Sequence, residues 1–247
     1  MIDFHAHILY GLDDGAENLE QSLMLIDSLK KQGVDTIVAA PHFYFNNITE
    51  DGFFAFREQA LCKIREAESD VKVIPACEVY ISKSFPYTDF QRYQIANTGY
   101  ILVELPHRTS LSKHIYDILL NIINVHGLTP IVAHCERYPA VLSKPGIIAE
   151  LIEIGCLIQL NTSSLFIGAL KNLALKMLAC DQVHVIGTDC HNDRRMPIYQ
   201  DAVNLIRERF GTEKLNRLHR NMELLLEGRR IEVVKPKKIK RVFRFYL

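Results

Sequence analysis

No charge imbalance marks this chain: its 247 residues carry 29 lysines and arginines against 29 aspartates and glutamates, a formal net charge of zero. Nothing in that total recruits nucleic acid or a membrane surface. Absent too is any uncharged stretch of the roughly 18 to 20 residues needed to span a bilayer. Ile2 already opens an apolar run, which leaves no room for an export leader ahead of it. These absences predict a cytoplasmic protein with no integral membrane segment and no nucleic-acid partner. The six cysteines, Cys62, Cys77, Cys135, Cys156, Cys180 and Cys190, have no CxxC spacing and lie mostly within apolar runs. Reduced packing thiols fit that pattern better than disulfides or zinc knuckles. No fixed-period repeat, low-complexity segment or linker interrupts the chain, so residues 1–247 are expected to form one domain. The one local excess of charge is the basic, partly apolar run from Lys235 to Arg244, within a tail beginning near residue 228. Such a run reads as a solvated end.

Hydrophobic residues make up 48% of the chain, enough for a large core. Apolar runs at 2–4, 36–41, 72–77, 100–104, 130–134, 156–161 and 183–187 read as buried strands. Between them lie stretches of helical period: Leu19, Leu23, Ile26 and Leu29; Ile115, Ile118, Leu119, Ile122 and Ile123; Ile147, Ile148, Leu151 and Ile152. Gly33, Gly127 and Gly155 stand where helices should end before the next strand. This is repeated β-α, either an open doubly wound sheet or a closed barrel.

Ligand-type side chains decide between the two. Asp3-Phe4-His5-Ala6-His7 and Asp189-Cys190-His191 each place two such residues two apart, hence on one side of an extended segment. Metal binding is the natural reading. Others come singly at the ends of apolar runs: His42 after Pro41, Glu78, Glu104 and His134. An open sheet gathers its ligand at one switch point, whereas a barrel collects residues from the carboxyl ends of many strands. The fold expected is therefore α/β, a distorted (β/α) barrel of about seven parallel strands, TIM-barrel-like.

Taken singly, each residue has a bland explanation. A lone His42 or His134 is a hydrogen-bonded strand-end group, Glu78 or Glu104 a salt-bridge partner, Asp13-Asp14-Gly15 a turn. Together, five histidines and four acids buried in one place without metal would cost more than a marginal fold can absorb. His134-Cys135 also resembles the start of a cysteine-dependent phosphatase loop, but that mechanism needs an arginine six positions on, and residue 141 is Val. Strand alternation is expected to turn Cys135 away from whatever His134 faces.

His5-Ala6-His7, Asp13-Asp14-Gly15, Pro41-His42, Glu78, Glu104, His134 with Glu136-Arg137-Tyr138, and Asp189-Cys190-His191-Asn192 form an ordered set. That set resembles the motif series of the polymerase and histidinol phosphatase (PHP) superfamily. Within it, the chain is most similar to the bacterial metal-dependent protein-tyrosine phosphatases of capsule and exopolysaccharide operons, over residues 1 to about 227. The resemblance implies three divalent metal ions: one on His5, His7, Glu78 and Asp189; a second bridged by Glu78 and held by Glu104 and His134; a third on Asp14, His42 and His191. It implies Arg137 as a catalytic and phosphate-binding residue, with Arg195 or Arg194 in the second arginine role. Five imidazoles and four carboxylates suit manganese, iron or zinc, and the residues do not choose among them. Such ions would activate a hydroxide for in-line attack on phosphorus.

The function implied is hydrolysis of phosphotyrosine in a protein, with the tail of a bacterial tyrosine kinase as partner. A small substrate such as histidinol phosphate, an inactive metal-binding scaffold and a nuclease are the alternatives, the last disfavoured by the neutral charge. Strand-to-helix connections look short apart from 43–51 and 82–97, so an open mouth is expected. Phe43, Tyr44, Phe45, Phe85, Tyr87, Phe90 and Tyr93 in those stretches could pack against a phosphotyrosine ring or anchor the loops.

Overall fold

The computed structural model describes residues 1–45, 48–68, 70–81, 89–242, 245 and 246, with only the backbone of 242 and 245. Parallel strands follow the chain around a barrel: β1 (Ile2–Ala6), β2 (Thr36–Ala39), β4 (Lys72–Pro75), β6 (Tyr100–Glu104), β7 (Thr129–Val132), β8 (Leu157–Asn161) and β9 (Val185–Gly187). Two of the expected strands arrive in halves, because β3 (His42–Phe43) continues β2 and β5 (Glu78–Tyr80) continues β4. Pro41 and Pro75 stand at the breaks, and a proline cannot donate to a ladder. One sheet runs β1-β2-β4 and the other β3-β5-β6-β7-β8-β9. A parallel bridge between Ala6 and Cys190 joins the last strand to the first. There Asp189 N–H donates to His5 O at 2.7 Å and His7 N–H to Cys190 O at 2.9 Å. Gly187 permits this seam, since a Cβ on it would lie 2.6 Å from His5 Cβ. About seven strands was the right count, once each broken pair is taken as one.

Helices α1 (Leu19–Lys31), α2 (Glu50–Ala67), α3 (Lys113–Asn124), α4 (Pro139–Ser143), α5 (Gly146–Glu153), α6 (Gly168–Ala179) and α7 (Gln200–Leu226) fill the intervals. In α1 the buried stripe is Ser22, Leu25, Ile26 and Leu29, leaving Leu23 only half-buried. The stripes of α3 and α5 bury the isoleucines and leucines their spacing predicts, apart from Ile123, which is half-buried. Gly33, Gly127 and Gly155 take positive φ just beyond α1, α3 and α5. α7 is broken at Gly211, where φ is 84°.

The basic tail does more than end in solvent. Ile239 is 1% exposed, Gln182 donates to Lys237 O at 2.7 Å, and Arg241 and Tyr246 both reach Leu142 O. A short hairpin, β10 (Arg241–Val242) with β11 (Phe245–Tyr246), completes it. The lysines stay in water while one isoleucine among them is buried, so a run that reads as solvated still straps the body. No helix among the described residues is long and apolar enough to cross a membrane.

Candidate metal centre

The barrel's closing seam lines up the first ligand pair. His5 and His7 project from the same side of β1 and its extension, and their Nε2 atoms lie 3.0 Å apart. Each ring is turned by its other nitrogen. His7 Nδ1 donates to the Asp13 carboxylate at 2.6 Å, and His5 Nδ1 lies 3.2 Å from Gln159 Oε1, which also accepts the His134 N–H. With Nδ1 so engaged on each ring, the two Nε2 atoms face one another, and either a proton on one of them or a metal cation between them relieves the repulsion of two lone pairs. Ligands about 2.0–2.1 Å from one ion sit about 3 Å apart, as these two do.

The rest of the cluster continues from there. Asp189 Oδ1 is 3.2 Å from His7 Nε2, and Glu78 Oε2 is 3.2 Å from His5 Nε2. The other Glu78 oxygen lies 2.9 Å from His134 Nε2. His42 Nδ1 is 3.0 Å from Glu78 Oε2 and 3.8 Å from Glu104 Oε2. His191 stacks on His7 at 3.7 Å between ring centres. Asp14 Oδ1 reaches His191 at 3.5 Å and His42 at 3.8 Å from the solvent side, where 63% of its side chain is exposed. All nine expected positions thus form one contiguous set at the carboxyl ends of the strands. Among the described residues, four groups have ligand atoms within 4.8 Å of one another: His5, His7, Glu78 and Asp189; His7, His42 and His191; His42, Glu78 and Glu104; and Glu104, His107 and His134.

Electrostatics point the same way. Burial works against charge on His7, yet Asp13, Asp189 and Glu78 raise its pKa well above the ordinary value. Burial likewise opposes the charge on His134, but Glu78 lifts it to about 9. Glu78 and Asp189 are held well below the usual carboxylate range by the histidines, against their own burial. By contrast, burial and the positive charge on His7 push His42 down, and His191 down to about 3. The site demands positive charge but cannot take it as five protons. Among the described residues, His42 Nδ1, Glu78 Oε2 and His191 Nε2 are buried without a hydrogen-bond partner, a cost native structures rarely leave standing. Divalent cations would meet both demands, so the residues fit the ions the sequence implies.

The arginines border the cluster. Arg137 Nη1 donates to Asp189 Oδ2 at 2.6 Å, with 26% of the side chain exposed. Arg195 Nη2 holds Asp14 Oδ2 at 2.5 Å, while Arg194 is placed by its backbone N–H on Asn192 Oδ1. Cys135 is fully buried, and burial pushes its thiol pKa well up, the opposite of a nucleophile. The alternation argument for it does not hold, because β7 ends at Val132 and Cys135 opens a 3₁₀ turn, Cys135–Arg137.

Sequence reading missed a supporting layer. Asp13, placed in the turn motif, also accepts the His42 N–H at 2.7 Å and so ties two candidate ligands together. Gln159 and Asn161 lie on β8; Asn161 Nδ2 donates to Asp189 Oδ2 at 3.1 Å, and buried Glu136 accepts the Asn161 N–H and the Ser164 hydroxyl. Their signal was two polar residues at alternate positions of an otherwise apolar, fully buried strand. His107, three residues after Glu104, was also missed. Of the aromatics expected at the mouth, Phe43, Phe90 and Tyr93 are fully buried and serve the core. Phe85 and Tyr87 lie outside the described residues. Tyr44 stands at the rim, 5.1 Å from the His42 ring and 5.5 Å from Tyr80, which the sequence had not singled out.

The profile of the family "Capsular polysaccharide synthesis, CpsB/CapC" matches residues 1–227. The chain belongs to the CpsB/CapC family. Its similarity to known relatives extends over most of the chain. Tyrosine-protein phosphatase CpsB of Streptococcus pneumoniae is 32% identical over 236 residues, 88% of this chain and 94% of that protein. Tyrosine-protein phosphatase YwqE of Bacillus subtilis is 30% identical over 253 residues, 98% of this chain and 97% of that one. A chain from the crystal structures of YwqE and CpsB, described as unique metal-dependent tyrosine phosphatases, superposes with a TM-score of 0.87 at 27% identity, covering 98% of this chain and all of that chain. An archaeal ribonuclease P structure reaches a TM-score of 0.59 at 16% identity, a likeness of fold alone. The CpsB/CapC scaffold thus accounts for the barrel.

Proposed function

We propose that this CpsB/CapC protein is a metal-dependent phosphomonoesterase that hydrolyses phosphotyrosine in a protein of capsule or exopolysaccharide synthesis. The observation that carries the reading is the convergence of unpartnered buried ligand atoms from His42, Glu78 and His191 beside the facing Nε2 atoms of His5 and His7. Its resemblance to relatives named tyrosine-protein phosphatases supplies the reaction. His5, His7, Glu78 and Asp189, then Glu104 and His134, then Asp14, His42 and His191 are the ligands proposed for as many as three ions. Manganese leads, with iron or zinc as alternatives. Bound ions would activate water and neutralise phosphoryl oxygens.

The chain's own residues do the rest. Asp13 and Gln159 hold the His7 and His5 rings so that both Nε2 lone pairs face the centre. Asn161 and Arg137 orient Asp189 from the Oδ2 side, leaving Oδ1 directed at His7. Arg137, at the edge of the cluster, is the group proposed to take the nonbridging phosphoryl oxygens, with Arg195 across the mouth at Asp14. Tyr44 and Tyr80 offer an aromatic wall to the tyrosine ring, which favours an aryl phosphate over histidinol phosphate. A bacterial tyrosine kinase tail in the cytoplasm is the proposed substrate, in keeping with six unpaired cysteines. The test is turnover of a chromogenic aryl phosphate before and after chelation, then of phosphotyrosine peptide against histidinol phosphate. Activity that survives complete metal removal would reject the metal mechanism. A histidinol phosphate kcat/KM about ten times the peptide's would replace the substrate.

A further inference from the structure

His107 has no place in the ligand sets above, yet the structure holds its ring against them. Its Nε2 lies 3.2 Å from Glu104 Oε1. The ring stands edge-on to Tyr138, with centres 5.0 Å apart and planes at 79°. Tyr138 is itself fixed at both sides of its hydroxyl, which donates to Ala133 O and accepts the Leu105 N–H. The His134 ring follows 6.2 Å away. One ligand atom each from Glu104, His107 and His134 lies within 4.8 Å of the others. A surface ion pair between His107 and Glu104 would explain one of these contacts and would be worth little, since 48% of the histidine side chain is exposed. It would leave unexplained why a ring nitrogen of His134 lies within the same 4.8 Å as both.

Resting on the metal-dependent reading above, we propose that His107 is a further protein ligand of the ion held at Glu104 and His134. A second imidazole makes that position richer in nitrogen and shifts its preference from manganese toward iron or zinc.

The experiment uses the full-length chain loaded with Co²⁺. Bound ions are counted after desalting, affinities are read by titration with a competing chelator, and the visible spectrum of the cobalt protein is recorded. In His107→Ala one class of ion is expected to weaken about tenfold or more, with a change in the cobalt bands, while the remaining ions stay bound. His107→Asp, which restores an oxygen ligand, should recover the count. Thermal unfolding of the metal-free variants should match the parent, because the half-exposed ring contributes little to the core. Equal ion count, affinity within about twofold and an unchanged spectrum in His107→Ala would overturn the assignment while leaving the phosphatase reading intact. A parent chain that binds no divalent ion at all would overturn both.

Discussion

At the scale of single residues, charge decides what each group can do. Asp189→Ala removes a carboxylate that faces His7 and also anchors Arg137 and Asn161, so this variant should lose ions and turnover together in an elemental analysis paired with an aryl phosphate assay. Arg137→Ala should instead keep its ions and lose roughly 10- to 100-fold in kcat/KM, the worth of a charge-assisted hydrogen bond. Cys135→Ser should retain both, and its inactivity at normal metal content would sink the metal mechanism. Asp3 makes a different case: it is fully buried beneath the cluster, accepts from Thr188 and the His5 N–H, and has its pKa raised by burial to about 6. Between about pH 4 and pH 6 the folded chain holds a proton at Asp3 that the unfolded chain has released, so this residue's contribution to stability declines as pH rises through that window. The full decline is about 3 kcal/mol. Urea unfolding of Asp3→Asn in chelator should lack that part of the pH slope, and identical slopes in the two proteins would refute it. Nearly all of the centre was legible at this scale, because ligating side chains are few in kind and conspicuous among apolar neighbours. His107 was not, since it stands beyond its strand in a connection where spacing carries no directional information.

Single strands and turns are where the supporting polar groups enter. β8 offers Gln159 and Asn161 to the centre from alternate positions, and neither touches the proposed ions except through His5, His134 and Asp189. Gln159→Ala should therefore weaken metal affinity about 10- to 100-fold while the barrel still folds, which chelator titration and circular dichroism would check together. Unchanged affinity would mean that Asp13 and the backbone suffice to aim the rings. Strand positions were legible because runs buried on both faces are long and apolar. Their ends were less so: β7 stops two residues short of His134, which takes φ of 29° and turns out of the extended conformation. A periodic pattern cannot announce such a turn. Pro41 and Pro75 stand where β2 gives way to β3 and β4 to β5, but a proline alone does not announce a break, since β7 runs on through Pro130.

For the whole molecule, closure and the tail matter most. Repetition of β-α and ligands at many strand ends made a barrel legible, but the tail's return did not follow from its charge. Burying Ile239 is worth about 1.5–3 kcal/mol by its side-chain transfer energy. Ile239→Asp should lower stability by at least that much in urea unfolding while leaving ion count and kcat/KM unchanged; a stability equal to the parent would show the strap to be incidental. The seam has a further consequence in time. Thr188, which anchors Asp3 across the closure, follows it by 185 residues. At ordinary translation rates of about 5–20 residues per second, His5 and His7 leave the ribosome roughly 10 to 40 s before Asp189 and His191 can join them. During that interval the nascent chain displays an incomplete pair of histidines that any passing transition metal can occupy. An ion kept from that interval would make the metal content of the folded chain depend on synthesis kinetics and on the metals available at the ribosome, as well as on equilibrium preference.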